Sequence, residues 1–306
     1  MRAARRSREH QTRLREKRNL PATVAWWFMD GFWRPRIHFV SFYTEGSPFD
    51  RGPNLTHAAQ QLEKAVKPEF DSMFFHTPRV LLRRDPTWEQ SFRDFTAMIE
   101  RHPSFSEEQN WNTGWARLGL FAWKPRLIFE ALNESDVRHG DLLFYHDSDT
   151  HKYPQYLNGV EKWRRWLLER MRRVDVLVFR DNRARLVSDT KPEVWEQFFT
   201  ADEVSGLRHL WAGAFAVRKS TPGIEFVRKW KQLAEVPENL LPITRAAGEQ
   251  YFSQHGPDQA LLACLRHCRR EWPAGLRLRE VYLEGGRMIP PPKKPAWALF
   301  RGKRPE

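Results

Sequence analysis

At 306 residues the chain can form one large α/β domain or two small ones, and its 41% apolar residues, with 14 Trp and 21 Phe, exclude wholesale disorder. A net charge of +13 implies a polyanionic neighbour: nucleic acid, an anionic membrane surface or a phosphorylated substrate. Only two cysteines occur, Cys264 and Cys268. Their i, i+4 spacing on a predicted helix would distort a disulfide, so reduced thiols are expected; a Cys-x-x-His-Cys metal site with His267 would need further ligands.

The charge is uneven. Met1 to Arg36 holds nine Arg and one Lys against Glu9, Glu16 and Asp30, a balance of +7. This segment has no apolar run long enough to span a bilayer and no apolar core of a secretory signal, so a cytoplasmic location is expected. Its basic residues run into Trp26, Trp27, Phe28, Phe32 and Trp33, which could rest on an anionic membrane or pack on the domain. Residues 1–35 therefore read as a basic aromatic arm, 36–290 as the folded domain, and 291–306 as an extended tail rich in Pro, Lys and Arg.

Within 36–290, strand-like and helix-like segments alternate. "RIHFVSFYT" reads as a strand, "NLTHAAQQLEKAV" as a helix capped by Asn54, and "DSMFFHTP" as a strand closed by proline. Helices follow at "TWEQSFRDFTAMIERH" and "PRLIFEALNES". The strand "GDLLFYHD", the helix "GVEKWRRWLLERMRR" and the strand "VDVLVFRD" come next. "HLWAGAFAVRKS" is a strand containing Gly213, "PGIEFVRKWKQLAE" a helix opened by Pro222, "PDQALLACLRHCRR" a helix and "RLREVYLE" a late strand. Strands separated by helices of this length predict βαβ units and a largely parallel sheet, whose ligands bind at the carboxyl ends of the strands.

The stretch "FYHDSDTHKYP" lies at that end of the "DLLFY" strand. Asp147 and Asp149 cannot be buried there alone, because isolated buried charge is very costly. Two hard oxygen ligands at a strand terminus suit Mg2+ or Mn2+, which could bridge a diphosphate. The plainer reading is a solvated turn in which Asp149 caps the next helix.

Several segments together resemble a family of bacterial and viral glycosyltransferase-like proteins with the GT-A fold. "RIHFVSFYTEGSPFDRGPNLTHAAQQLEKAVKPEFDSMFFHTP" is similar to its opening. "LGLFAWKPRLIFEALNESDVRHGDLLFYHDSD" resembles its aromatic-x-Trp-Lys-Pro element, helix and acidic strand end. "SDTKPEVWEQFF", "LWAGAFAVRKSTPGIEFVRKW" and "HGPDQALLACLRH" are similar to later blocks, the last to a His-x-x-Asp-Gln helix start. The similarity spans Ile37 to His267 in order, and five blocks in sequence are far more specific than any one.

The resemblance implies a GT-A fold with a single mixed, mostly parallel sheet, and a transferase moving a sugar from a nucleotide-diphosphate donor to a glycan or lipid-linked hydroxyl acceptor. It implies Asp147, Asp149 and His255 as ligands of Mn2+ or Mg2+, and Trp123, Lys124, Asp147 and Gln259 as donor contacts. Asp258 would be the catalytic residue, positioning the acceptor or donor sugar or, in an inverting reaction, serving as base. The bland readings are a core Trp123, a solvated Lys124 and an Asp258 that caps its helix. Asp147-Ser148-Asp149 departs from the family's frequent Asp-Ala-Gly toward the general Asp-x-Asp pattern, and Gly256-Pro257 departs from its basic or polar residues.

Three other functions compete. A nucleic-acid-binding protein would concentrate its basic residues on the core rather than in a terminal arm, so the distribution disfavours it. A metal-dependent phosphohydrolase would use His146, Asp147, Asp149 and His151 and would need further ligands. A non-catalytic relative would bind glycan or nucleotide only.

Overall fold

The structure, a computed structural model, describes residues 35–45, 55–101, 123–148, 162–240, 257–284 and 287–289. The basic arm up to residue 34, the tail, Asn54, Asp149, His151 and His255 lie outside the described residues. Apart from Pro35 and Arg36, the described residues belong to one unit, Ile37–Glu306.

In chain order the elements are β1 (Ile37–Phe42), α1 (Thr56–Val66), β2 (Ser72–His76), α2 (Pro78–Arg84), α3 (Thr87–Arg101), α4 (Trp123–Leu132), β3 (Leu142–His146), α5 (Trp163–Arg170) and β4 (Val176–Arg185). Then come the short helices α6 (Leu186–Asp189), α7 (Pro192–Trp195) and α8 (Ala201–Val204), followed by β5 (Arg208–Arg218), α9 (Thr221–Ala234), α10 (Pro237–Leu240), α11 (Pro257–His267), β6 (Leu278–Glu284) and β7 (Arg287–Ile289). The expected strands form. The helices α2, α6, α7, α8 and α10 and the strand β7 escaped the sequence reading. Thr77-Pro78 ends β2 and also starts α2, because the Thr77 hydroxyl accepts from Val80 N (3.2 Å) and Pro78 fits a first helical position.

The fold is α/β, with a single mixed sheet flanked by helices, in the order β2-β1-β3-β5-β4-β6-β7. Strand pairs β1–β2, β1–β3 and β4–β6 are parallel; β5 runs antiparallel between β3 and β4, and β7 antiparallel to β6. Alternation along the strands sends Val40, Phe42, Leu143, Tyr145, Val178 and Phe215 to one face, packed with Trp123, Leu127, Phe226, Trp230 and Leu261 of α4, α9 and α11. Ile37, Phe39, Leu142, Phe144, Leu177 and Phe179 face the other way, onto Leu62 and Val66 of α1 and Trp163 and Leu167 of α5. All six residues of β1 are buried, as a central strand covered on both faces requires.

The two edges of this sheet are chemically unlike. Asp71, Asp141 and Asp175 each stand immediately before a parallel strand, at its amino end. Asp71 Oδ2 accepts from Ile37 N (2.8 Å), Asp141 Oδ2 from Arg138 N (2.9 Å) and Asp175 Oδ2 from Arg277 N (3.0 Å). His38 bridges Asp141 Oδ2 (3.2 Å) and Ser72 Oγ (2.6 Å), and Asp175 also takes the Ser220 hydroxyl. Burial would raise the Asp175 carboxyl, but its bonds from Arg277 and Ser220 hold it below the ordinary range. These acids are structural caps.

At the carboxyl edge, the chain leaves β1 toward β2 and leaves the adjacent β3 toward β4, to opposite sides: a topological switch point between β1 and β3, where open α/β sheets bind ligands. Two side-chain bonds fix the strand ends there. Ser41 Oγ donates to His146 O and Ser148 Oγ to Phe42 O, each at 2.7 Å. Beside them β5 bulges: Val178 pairs with Phe215 but Phe179 with Trp211, so residues 212–214 are extra on the β5 side. Gly213 is needed within that bulge because a Cβ there would lie 2.3 Å from the Trp211 indole. Gly213→Ala is expected to lower unfolding free energy by about 1–3 kcal/mol, measured by urea titration, because the indole must shift inside a packed layer.

Candidate functional site

The site grows from the last turn of β3. Period-2 alternation places Tyr145 and Asp147 on one face and His146 on the other. Asp147 N donates to Gly213 O (2.8 Å), holding the residue against the bulge, and the Tyr145 hydroxyl donates to Asp147 Oδ1 (2.6 Å). Lys124, the second residue of α4, brings its ammonium to the same oxygen at 3.2 Å. That ammonium is also 2.8 Å from Asp258 Oδ2 and donates to Ala212 O at 3.2 Å.

Lys124 is only 2% exposed, and so is Asp258. The Lys124 ammonium donates to one carbonyl and lies within ion-pair distance of two carboxylate oxygens. Burial alone would depress the lysine's pKa, but the carboxylates of Asp147 and Asp258 outweigh it and raise the value well above ordinary. Burial likewise pushes the Asp258 carboxyl up, opposed by Lys124. The 2.8 Å ion pair is close without being aligned as a hydrogen bond. The first turn of α4 contains no acidic residue, although its dipole disfavours a cation, so compensation comes from β3 and α11.

Asp147 differs from Asp258 in one decisive respect. Its side chain is 30% exposed, and Oδ2 takes no hydrogen bond among the described residues. One carboxylate oxygen is thus fixed by the protein and the other is open to solvent. This fits a hard divalent cation of the Mg2+ type, which is commonly held by one or two carboxylates and completed by water and substrate phosphates. Among the described residues no three His, Cys, Asp or Glu side chains gather into a cage.

Trp123, 4% exposed, stacks on Phe42 with ring centroids 4.0 Å apart, so it walls the site from below as a core residue. Gln259 is half-buried beside Asp258 at the start of α11. His146 is buried on the opposite face: its Nδ1 lies 2.7 Å from Asp147 O, and its ring stacks on Trp163 at 5.2 Å and meets the Trp211 edge at 5.8 Å. His146 and Asp147 therefore cannot jointly clasp one ion from this strand. The remaining expected ligands, Asp149, His151 and His255, lie outside the described residues.

Sequence reasoning brought forward Trp123, Lys124, Asp147 and Asp258, but as separate contacts; the structure joins the last three through one ammonium. Tyr145 and the carbonyl of Ala212 were missed. The first had a signal, being two residues before Asp147 and hence on its face. The second depends on a bulge whose sequence signal is Gly213 inside the strand. His76, at the carboxyl end of β2 and in register with Phe42, was also missed. It is 6% exposed, both its ring nitrogens are buried without a hydrogen-bond partner among the described residues, and burial, reinforced by the charge of Arg84, depresses its pKa to about 4.

No protein-family model matches the chain, and no curated protein matches it. Among the described residues no helix is long and apolar enough to cross a membrane.

The state of His76 has a consequence for stability. A histidine depressed from 6.5 to about 4 binds its proton more readily when unfolded, so stability is full above pH 6.5 and falls as pH drops toward 4. The loss should approach roughly 3 kcal/mol. Urea unfolding of the wild type and His76→Leu across pH 4 to 7 is expected to show that part of the slope vanish in the variant.

Proposed function

We propose that the chain is a metal-dependent glycosyltransferase of GT-A type, moving a sugar from a nucleotide-diphosphate donor to a hydroxyl acceptor on a glycan or lipid-linked molecule. The observation that carries this reading is the convergence of three separate sequence blocks on one group. Lys124 from "WKP", Asp147 from "HDSD" and Asp258 from "HGPDQ" meet within 3.2 Å of a single ammonium, at the carboxyl edge of the sheet. The mixed, mostly parallel sheet and its switch point between β1 and β3 are the setting such chemistry uses.

On this reading Asp147 Oδ2 holds Mn2+ or Mg2+, with Asp149, two positions on, as the second acidic group. The cation supplies charge neutralisation for a departing nucleotide diphosphate. The chain does the rest by preorganisation: Tyr145 and Lys124 fix the carboxylate, the Phe42–Trp123 stack closes the floor, and the Ser41 and Ser148 bonds keep the two strand ends in register. Asp258, buried and ion-paired, suits holding charge better than drawing a proton from an acceptor hydroxyl. Contact of residues 1–36 with an anionic membrane surface belongs to the proposal on charge alone.

The test is calorimetric titration of the purified chain with UDP, GDP, CDP and dTDP, each with Mn2+ and with EDTA. One nucleotide is expected to bind with Mn2+, to lose at least tenfold in affinity with EDTA, and to lose as much in Asp147→Asn. Binding of none of the four, or binding indifferent to EDTA, would refute the proposal.

A further inference from the structure

Lys124 and Asp258 pose a problem for a cation site. A lysine ammonium 3.2 Å from Asp147 would repel a divalent ion placed on that same carboxylate. Taken alone, Lys124 would cancel the charge of Asp147 and leave nothing to attract a cation. It is not alone. Asp258 Oδ2 approaches the ammonium more closely, at 2.8 Å, and both groups are almost fully buried, where their attraction is little screened. Asp258 is held in place independently of Lys124: its backbone carbonyl accepts from Trp230 Nε1 (3.1 Å), and its side chain sits in the first turn of α11, where the helix dipole favours a negative charge.

We infer that Asp258 is the internal counter-charge of Lys124, so that the buried pair is neutral, clamps Asp147 through Oδ1, and leaves Asp147 its full charge for a divalent cation on Oδ2. The three side chains carry +1, −1 and −1, a net −1 that resides on the accessible carboxylate. Lys124 and Asp258 are then positioning residues acting through Asp147, rather than a phosphate contact and a general base. The inference rests on the proposal that Asp147 holds a cation.

Charge bookkeeping separates these roles. Asp258→Asn changes the local sum from −1 to 0 without altering side-chain size; removing the whole pair in Lys124→Met/Asp258→Asn restores −1. Mn2+ binding to the full chain, read from the loss of the free-ion electron paramagnetic resonance signal, is the measurement, with a thermal melt to verify that each variant folds.

Asp258→Asn is expected to weaken Mn2+ binding about tenfold or more although it does not touch the ion, the size of a unit charge acting over a few ångströms. The double variant is expected to return within about threefold of wild type. Mn2+ binding in Asp258→Asn equal to wild type would overturn the inference while leaving the cation site standing. So would a double variant that loses as much as the single; should the single fail to fold, the double alone decides, since it buries no unpaired charge. Absence of Mn2+ binding in the unsubstituted chain would overturn both the inference and the proposal beneath it.

Discussion

The interaction on which the site depends is the buried ammonium of Lys124. A lysine inside a protein is stable as a cation only if neighbouring charges and dipoles replace the water it has lost. Here the replacement comes from three distant parts of the chain: the end of β3, the bulge of β5 and the start of α11. None can be displaced without leaving a buried charge uncompensated, so the geometry of the site and the integrity of the sheet are one constraint. The bulge belongs to this constraint, because it turns the Ala212 carbonyl toward the lysine, and Gly213 allows it by leaving room for the Trp211 indole.

The same physics distinguishes the two edges of the sheet. The acids before β2, β3 and β4 are engaged by backbone N–H groups and, in that order, by Arg164, by His38, and by Arg277 with Ser220. Asp147, at the opposite end of β3, has one oxygen tied down and one open. A carboxylate half satisfied by its own protein is rigid and still able to take a ligand, which is what a preorganised cation site requires. Buried His76, unpartnered among the described residues, lies on the same face and edge, and the protein maintains it at a cost that grows as pH falls.

Much of the fold was legible from periodicity. Runs such as "HFVSF" and "DLLFY" are strands because they alternate or stay apolar over the right length, and Ser220-Thr221-Pro222 marks a helix start whose cap the structure contains, Ser220 Oγ accepting from Gly223 N (3.3 Å). That β5 enters antiparallel between β3 and β4 was not legible, because pairing direction between strands far apart in sequence leaves no local trace. The site was half legible. Asp147 could be placed at the carboxyl edge from its strand alone. Lys124 read as solvated or as a phosphate contact, since only tertiary packing reveals that an ammonium is buried between Asp147 and Asp258.

The most direct test is a crystal structure of the chain grown with Mn2+ and the nucleotide diphosphate it binds, with anomalous scattering used to locate the ion. The account predicts an Mn2+ peak in direct contact with Asp147 Oδ2, and Lys124 still between Asp147 Oδ1 and Asp258. A peak remote from Asp147, or a Lys124 side chain swung out onto the nucleotide phosphates, would contradict it.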